Sequence, residues 1–305
     1  MNLCLIDIGG TNIRYSFFCN NKKLSIKKKE IPSTKSFYQI LNEILKEKET
    51  IVTDLVISAA GPKFNHIITM TNQKFVIDAK KIKKKFNLQS CFVLNDLEAA
   101  GYCLDKIKSK EKKIIKKGHK INNNQILVCP GTGLGLSLII NNQKVLSSEI
   151  GNSKFLKSEF LKIDKRLIKF KFSKIEDFLS GPGISNLYEI IYQKKLSTPE
   201  IIYQLSNNNR KALYVRDIFL KMFAKFLAEI SLIYLPGNGI FLSGSLIREI
   251  ETYIDKKKFK DDFLKQVNQS HKKLLNSISI NVIIKEHMSI FGCKEFFNLI
   301  QKDSS

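Results

Sequence analysis

Short apolar runs, each about the length of a buried β-strand, alternate with polar residues and glycines through the first third of the chain. Most of these runs are rich in leucine, isoleucine, valine and phenylalanine, and turn-forming residues bound them, a pattern that predicts strands. The predicted strands are 3–8, 13–19, 23–31, 55–60, 66–69 and 92–94, and the predicted helices are 35–46 and 78–86. A hairpin meander followed by helices indicates a mixed sheet in an α/β lobe.

Helical periodicity replaces these runs in the second half of the chain. Apolar residues recur at helical spacing from 210 to 234, and Pro236-Gly237 predict the end of that helix. A strand is predicted at 239–243 and a last helix at about 289–301, which we expect to return to the first lobe.

The chain has 305 residues, which is long enough for two hydrophobic cores. The stretch 105–124 is polar and rich in lysine, and we interpret it as a linker or an exposed insertion. We therefore predict a small α/β lobe at 1–106 that is completed by a C-terminal helix at 287–305, and a large α/β lobe at 107–286.

The first glycine-rich segment, Asp7-Ile8-Gly9-Gly10-Thr11-Asn12, lies between two predicted strands and is therefore a hairpin loop. It is an ordinary turn, for which Gly-Gly supplies positive φ angles, or a loop whose backbone N–H groups approach a phosphate closely. Asp7 favours the second interpretation, because a carboxylate facing a phosphate is useful mainly when Mg²⁺ stands between them.

A second glycine-rich segment, Pro130-Gly131-Thr132-Gly133-Leu134-Gly135, also has a predicted strand before it, 125–129, and after it, 136–140. The Thr132 hydroxyl could donate to a phosphate oxygen, and a purely structural turn is the alternative. Two such loops in one chain indicate a polyphosphate held between two lobes.

Asn95 and Asp96 follow the predicted strand at 92–94 and precede a predicted helix. Ligands bind at the carboxyl ends of strands in open α/β sheets. Simple helix capping is the alternative, because both residue types are preferred caps. A carboxylate at this place could accept the proton of a substrate hydroxyl whose oxygen attacks phosphorus.

Together these segments resemble bacterial glucokinases, within the hexokinase, Hsp70 and actin type of ATPase fold, from residue 3 to about residue 295. The resemblance implies a two-lobed actin-like (ribonuclease H-like) α/β fold, with mixed sheets flanked by helices and a cleft between the lobes. It rests on five motifs in the family's order, namely DIGGTN at 7–12, Leu94-Asn95-Asp96, Gly131-Thr132-Gly133-Leu134-Gly135, Glu149-Ile150-Gly151 and Leu179-Ser180-Gly181-Pro182-Gly183.

The resemblance implies that both glycine loops hold the phosphates of ATP and that Asp96 is the general base. Asp7 would act on Mg²⁺ through water. The implied ATP-site residues are Asp7, Gly9, Gly10, Thr11, Asn12, Gly131, Thr132, Gly133 and Gly244.

The sugar contacts that the resemblance implies are Asn95, Asp96, Glu149, Asn152 and Glu176. Polar side chains suit a polyol, because each buried hydroxyl without a partner costs about 1–3 kcal/mol. The family typically has Glu-Gly-Gly-His where this chain has Glu149-Ile150-Gly151-Asn152, and Ser245 stands where a glycine is usual. Glu286-His287-Met288-Ser289 likewise replaces the usual Asn-Pro-Gly before the last helix.

The implied activity is phosphorylation of glucose to glucose 6-phosphate by ATP, at the entry to glycolysis. A kinase of another hexose or an amino sugar is one alternative, favoured by Asn152. A catalytically weakened sugar-binding regulator is another, favoured by the departures at Ile150, Asn152 and Ser245. The family resemblance also implies a homodimer.

The net charge of +23 raises the alternative of a nucleic-acid-binding protein. The basic clusters are scattered and nearly all lysine, with five arginines among 51 basic residues, although arginine is favoured for bidentate recognition. No helix-turn-helix or RNA-binding pattern accompanies the charge. We therefore interpret the lysines as solvated faces and expect no nucleic-acid partner.

Cysteine usage and hydropathy indicate a cytoplasmic protein without a membrane partner. No apolar run approaches the length of a membrane span, and no signal-peptide pattern precedes the first strand. Six cysteines without CxxC spacing predict buried free thiols. Four widely separated histidines predict no metal site built from protein ligands.

Overall fold

The computed structural model describes residues 2–18, 24–32, 34–47, 51–70, 73–169, 171–265 and 268–303. The chain divides into two compact units, a first unit of Met1–Ile107 with Glu286–Ser305 and a second unit of Lys108–Lys285. Each unit is built on its own main β-sheet and has its own hydrophobic core.

The first unit contains a five-stranded mixed sheet and a small three-stranded antiparallel sheet. Its strands are β1 (Leu3–Ile8), β2 (Asn12–Phe18), β3 (Lys27–Glu30), β4 (Asp54–Ala59), β5 (Lys63–Phe64), β6 (Ile67–Thr69), β7 (Val76–Asp78) and β8 (Ser90–Asn95). The main sheet has the order β3-β2-β1-β4-β8, in which β1, β4 and β8 are parallel and the β1–β2 and β2–β3 pairs are antiparallel. All residues of β1 and β4 are buried, as expected for central strands covered on both faces.

Four helices pack in the first unit: α1 (Phe37–Lys46), α2 (Ala79–Lys85), α3 (Asp96–Tyr102) and the C-terminal helix α11 (Met288–Asp303). A capping box of Ser36 and Gln39 begins α1. Gly292 lets α11 approach α3 closely, because a Cβ at this position would lie 1.6 Å from the carbonyl oxygen of Ala99. The last helix is therefore part of the first unit.

The second unit contains a six-stranded sheet. Its strands are β9 (Lys112–Lys116), β10 (Gln125–Pro130), β11 (Leu134–Ile140), β12 (Lys144–Ser148), β13 (Ile240–Leu242) and β14 (Ile280–Ile283). The order is β12-β11-β10-β13-β14-β9, with β10, β13 and β14 parallel. The antiparallel pairs are β10–β11, β11–β12 and β14–β9.

The helices of the second unit are α4 (Lys157–Leu161), α5 (Gly181–Tyr192), α6 (Thr198–Ser206), α7 (Arg210–Tyr234), α8 (Ser245–Ile250), α9 (Lys256–Leu264) and α10 (Gln269–Ser277). The prediction for α7 is confirmed. Asn209 caps its start, and its end is marked by Leu235 in the left-handed region at φ 46°. Its buried face contributes stacked phenylalanines to the core, Phe219, Phe223 and Phe226.

Both main sheets contain the same five-stranded arrangement, in which an antiparallel meander of three strands continues into two parallel strands, and β9 adds a sixth strand to the second sheet. In this arrangement β1 corresponds to β10 and β2 to β11. The two glycine-rich segments therefore occupy equivalent hairpins, one in each unit. The predicted α/β class with mixed sheets flanked by helices is confirmed.

The interpretation of 105–124 as a linker or exposed insertion is wrong for part of that segment. Lys112–Lys116 forms β9, an edge strand of the second sheet, and Ile115 and Lys116 are 4% and 3% exposed. Its partner β14 lies far along the chain, a non-local pairing that local polarity does not reveal.

Some expectations concern residues outside the described ranges. Cys19 and Lys23, at the ends of predicted strands, are among them. Of the described cysteines, Cys4, Cys103 and Cys293 are buried as predicted, whereas Cys91 and Cys129 are only half-buried.

Candidate active site

Asp7 lies near the carboxyl end of β1 and is 9% exposed. Its carboxylate accepts a hydrogen bond from Ser58 Oγ at 2.6 Å and a longer one from Arg14 Nη1 at 3.4 Å. Burial raises the pKa of Asp7, while the Ser58 hydrogen bond and the Arg14 charge oppose that rise. Asp7 is therefore a buried acceptor whose negative charge is only partly compensated.

The sequence interpretation misses both partners of Asp7. Arg14 lies opposite Asp7 across the antiparallel pair, and Ser58 lies opposite it across the parallel pair. A polar residue inside the apolar run of β4 was the available signal for Ser58, because a buried hydroxyl needs a partner. The pattern of β2 carries no comparable signal for Arg14.

The loop after Asp7 is a hairpin turn, as predicted. The backbone N–H of Gly9 donates to the carbonyl oxygen of Asn12 at 2.9 Å. A Cβ at Gly9 would lie 3.3 Å from that oxygen, so the tight turn favours glycine. Gly10 and Thr11 are exposed, and Asn12 Nδ2 donates to Thr11 Oγ1 at 2.7 Å. Phosphate binding by this loop stays a prediction.

Asn95 ends β8 and caps α3, so its side chain does have the helix-capping role that was the alternative to ligand binding. Its Oδ1 accepts from the backbone N–H of Leu97 at 3.0 Å, and its Nδ2 donates to the carbonyl oxygen of Gly61 at 3.0 Å. Asp96 is the half-buried first residue of α3, and its Oδ1 accepts from the same Leu97 N–H at 2.9 Å. The start of the helix thus holds both side chains beyond the carboxyl ends of parallel strands.

Glu98 is a further polar residue at this turn that the sequence interpretation misses. Its Oε2 accepts from the backbone N–H of Asn95 at 3.1 Å, which completes a capping box. Lys63 Nζ donates to both of its carboxylate oxygens at 2.9 Å. The Asn-x-x-Glu spacing before an apolar run resembles a capping box and could have identified Glu98.

The second glycine loop joins β10 to β11. The Gly131 N–H donates to the Gly133 carbonyl at 2.8 Å, and the Gly181 N–H at the start of α5 donates to the Gly131 carbonyl at 2.7 Å. A Cβ at Gly131 would meet no atom within 4 Å, and Thr132 is exposed. The loop therefore has open space beside its backbone, as close approach by a phosphate requires.

Glu176 packs against this second loop. Its Oε2 accepts from the backbone N–H of Leu134 at 3.1 Å. A Cβ at Gly133 would lie 2.6 Å from that same oxygen, and one at Gly151 would lie 2.4 Å from the Leu134 carbonyl oxygen. The glycines at 133 and 151 are thus explained by packing within the second unit.

Glu149 and Asn152 are exposed and bonded to each other. Asn152 Nδ2 donates to Glu149 Oε2 at 3.1 Å, and Lys174 Nζ donates to Asn152 Oδ1 at 3.1 Å. Lys174 also forms an ion pair with Glu176, which is the main reason that its pKa is raised. The second unit therefore brings the predicted Glu149, Asn152 and Glu176 together. Lys174 is a member that the sequence pattern assigns to a solvated lysine cluster.

Gly244 follows β13 and precedes α8, with φ at 102°. A Cβ there would lie 3.0 Å from both Cys129 Sγ and the Pro130 carbonyl oxygen. Only glycine suits this turn, which lies directly beside the strand that leads into the second loop. Adenosine binding at Gly244 stays a prediction.

Taken one unit at a time, the residues present fit ATP with Mg²⁺, on which Asp7 would be the carboxylate to act. Within the described ranges, no group of three or more histidine, cysteine, aspartate or glutamate side chains could hold a metal ion. Asp7 supplies one carboxylate of incompletely compensated charge, and the open side of Gly131 leaves room for a phosphate.

In the part of the chain that the structure describes, no helix has both the length and the apolar character needed to cross a membrane.

Comparisons with a family model and with known proteins agree on one family. The sequence model of the glucokinase family matches residues 5–299. A glucokinase from Helicobacter pylori (strain J99) is 26% identical over 318 aligned positions, which cover 94% of this chain and 93% of that protein.

Solved structures share the fold. A glucokinase from an Antarctic psychrotroph superimposes with a TM-score of 0.83 at 21% identity, covering 97% of this chain and 99% of that one. The Leishmania braziliensis glucokinase gives a TM-score of 0.77 at 20% identity, covering 97% and 92%. The expected actin-like ATPase fold is thereby confirmed. Because the family model spans nearly the whole sequence, the chain belongs to the glucokinase family of sugar kinases.

Proposed function

We propose that the protein uses ATP to phosphorylate glucose on its 6-hydroxyl. The observation that carries the proposal is the placement of two carboxylates at one edge of the first sheet. Asp7 pairs with Ser58, which pairs with Leu94 in turn, so Asp7 lies two strands from the segment that ends in Asp96. That separation is about 10 Å, and this edge is where ligands of α/β sheets bind.

Asp96 is the general base of the proposed reaction. Its carboxylate accepts the proton of the sugar hydroxyl while the hydroxyl oxygen bonds to the γ-phosphorus of ATP. The bond between that phosphorus and the bridging oxygen breaks, and ADP leaves with its electron pair. The Leu97 N–H, which donates to Asp96 Oδ1 at 2.9 Å, orients the carboxylate for this step.

The proposal assigns the phosphates of ATP to Asp7 and the glycine loop in the first unit and to the glycine loop in the second. The Gly9 and Gly131 N–H groups donate within their own loops. The backbone N–H of Gly10 and the exposed hydroxyls of Thr11 and Thr132 are therefore the donors suited to phosphate oxygens. Mg²⁺, when bound with ATP, supplies positive charge that neutralises the phosphates. Asp7 would hold it through water.

Glu149, Asn152 and Glu176 form the proposed sugar site of the second unit. Asn95 and Asp96 are the sugar contacts proposed for the first unit. Carboxylates and amides can satisfy several hydroxyls at once, which is what a polyol requires. A different hexose or an amino sugar is the second candidate. The shorter amide of Asn152, in place of the family's usual histidine, favours this candidate.

ADP release from ATP and Mg²⁺ tests the proposal across glucose, mannose, fructose, glucosamine and N-acetylated sugars. We expect glucose-dependent release that Asp96→Asn lowers by about 10²- to 10⁴-fold with little change in glucose affinity. Asp261→Asn, at an exposed position on α9, is the matched control and should keep full activity. Comparable turnover by Asp96→Asn would remove Asp96 from the role of base.

Two further outcomes would redirect the proposal. Release with another sugar alone would keep the mechanism and change the substrate. Sugar binding without release from folded protein would favour a regulator.

A further inference from the structure

Lys174 connects every predicted sugar contact of the second unit. Its ammonium donates to Asn152 Oδ1 and pairs with Glu176, and Asn152 in turn donates to Glu149. Glu176 continues the series to the backbone N–H of Leu134. One bonded chain therefore runs from the proposed sugar site to the second glycine loop.

The proposed site is rich in acceptors and poor in donors. Glu149 and Glu176 are carboxylates, which only accept hydrogen bonds when ionised. The amide of Asn152 already uses one N–H on Glu149, and its oxygen is taken by Lys174. A sugar hydroxyl that donates to a carboxylate still presents lone pairs, and a desolvated acceptor without a donor is costly.

Lys174 has a donor to spare. An ammonium carries three N–H groups, and Asn152 and Glu176 are its two hydrogen-bond partners within the described residues. Its side chain is 34% exposed, so the third N–H is within reach of a ligand. Glu176 also raises the pKa of Lys174, which therefore stays charged at neutral pH.

Resting on the proposed function, we propose that Lys174 is a sugar-binding and specificity-determining residue of this site. Its third N–H donates a hydrogen bond to one hydroxyl of the sugar. That hydroxyl in turn donates a hydrogen bond to Glu176 or Glu149. The ammonium thus adds a charged donor to the single amide N–H that Asn152 has left, and it makes one particular hydroxyl necessary for tight binding. A sugar lacking that hydroxyl leaves the charged donor unpaired.

The test measures KM, kcat and, by calorimetry, Kd for the preferred sugar and its monodeoxy analogues. Wild type is compared with Lys174→Met and Lys174→Arg, and Lys171→Met at a nearby exposed lysine is the matched control. We expect Lys174→Met to raise KM and Kd for the parent sugar about tenfold to a hundredfold, with a much smaller change in kcat. Lys174→Arg should recover part of that loss.

The deoxy series separates contact from mere support of the fold. One deoxy sugar should bind wild type much more weakly than the parent sugar but bind Lys174→Met about as well as the parent does. Equal losses for every sugar in Lys174→Met would overturn the proposal.

Failure of the proposed kinase function gives other results than failure of the proposed role of Lys174. If wild type binds sugars without releasing ADP, the kinase proposal fails and the Kd values still decide the role of Lys174. If the folded protein binds no sugar, both proposals are overturned.

Discussion

Lys63 Nζ donates to both carboxylate oxygens of Glu98 at 2.9 Å, and Glu98 in turn accepts the backbone N–H of Asn95. A second bond runs from Asn95 Nδ2 to the Gly61 carbonyl, two residues before Lys63. The small sheet of the first unit is therefore tied by two links to the turn that carries Asp96. This turn is held by its neighbours as well as by its own helix cap.

Removing Lys63 should loosen the Asp96 turn. We expect Lys63→Met to lower kcat about tenfold and the free energy of unfolding by about 1–3 kcal/mol, because Glu98 is 9% exposed and would lose its cation. Steady-state kinetics and urea unfolding measure the two effects. Lys63→Met combined with Glu98→Gln should recover part of the stability, and a double variant no better than the single one would contradict this account.

We expect the ionised Asp7 carboxylate to lower the stability of the fold while it supports activity. Because burial raises its pKa above 3.8, the folded state binds more protons there than the unfolded state, and stability falls as pH rises through the raised pKa. Asp7→Asn does not ionise, so its stability relative to wild type should increase over that range of pH. Its kcat should fall at least about a hundredfold.

Thermal unfolding of wild type and Asp7→Asn at a series of pH values, without ATP, measures this difference. A stability difference that is independent of pH would show that the pKa of Asp7 is the same in folded and unfolded chains.

Lys116 is a buried lysine that ties the end of α10 to β9. Its Nζ donates to the carbonyl oxygens of Leu275 at 3.1 Å, Asn276 at 2.8 Å and Ile278 at 2.6 Å. Lys116→Met has similar length but no donor, and it should lower the free energy of unfolding at pH 7 by about 1–3 kcal/mol. Chemical unfolding monitored by circular dichroism gives the value.

The Lys116→Met variant also tests how the stability of the protein depends on pH. Burial lowers the pKa of Lys116 from 10.5 to about 8, so the unfolded chain binds more protons between those values. Wild type should therefore become more stable relative to Lys116→Met as pH rises from 8 to 10. A constant or shrinking difference would be contrary to this expectation.

Gly131 of the second loop should be a functional glycine, and Gly151, in the segment after β12, a structural one. Gly131→Ala adds a methyl group into open space, so we expect unchanged thermal stability and a KM for ATP raised at least about tenfold, because the methyl group blocks close approach of a phosphate. Gly151→Ala meets the Leu134 carbonyl oxygen at 2.4 Å and should destabilise the protein by several degrees in Tm. An unchanged KM for ATP in Gly131→Ala would argue against phosphate binding at that loop.

Local patterns in the sequence were enough for many of the elements. Apolar runs with glycine between them predicted β1, β2, β10 and β11 and the two hairpin loops, because strand and turn preferences are set by neighbouring residues. Helical periodicity with a terminal Pro-Gly predicted α7, including its end at Tyr234.

Pairings between distant segments escaped this kind of prediction. β9 is a lysine-rich stretch by composition, and it is a strand because it pairs with β14 and its Ile115 packs in the core of the second unit. Lys63 and Glu98 likewise come from separate segments, so only their packing makes them a pair.

The sequence by itself determined the family, the mixed α/β class and the residues worth testing, since glycine loops and strand-end carboxylates are local features. The tertiary structure alone decided which partners those residues have. Asp7 is buried against Ser58 and Arg14, and Glu176 is bonded to Lys174, a residue that resembles solvated lysine in the sequence. The physical reason is that burial and charge pairing depend on which strands lie side by side, and this is a property of the whole fold.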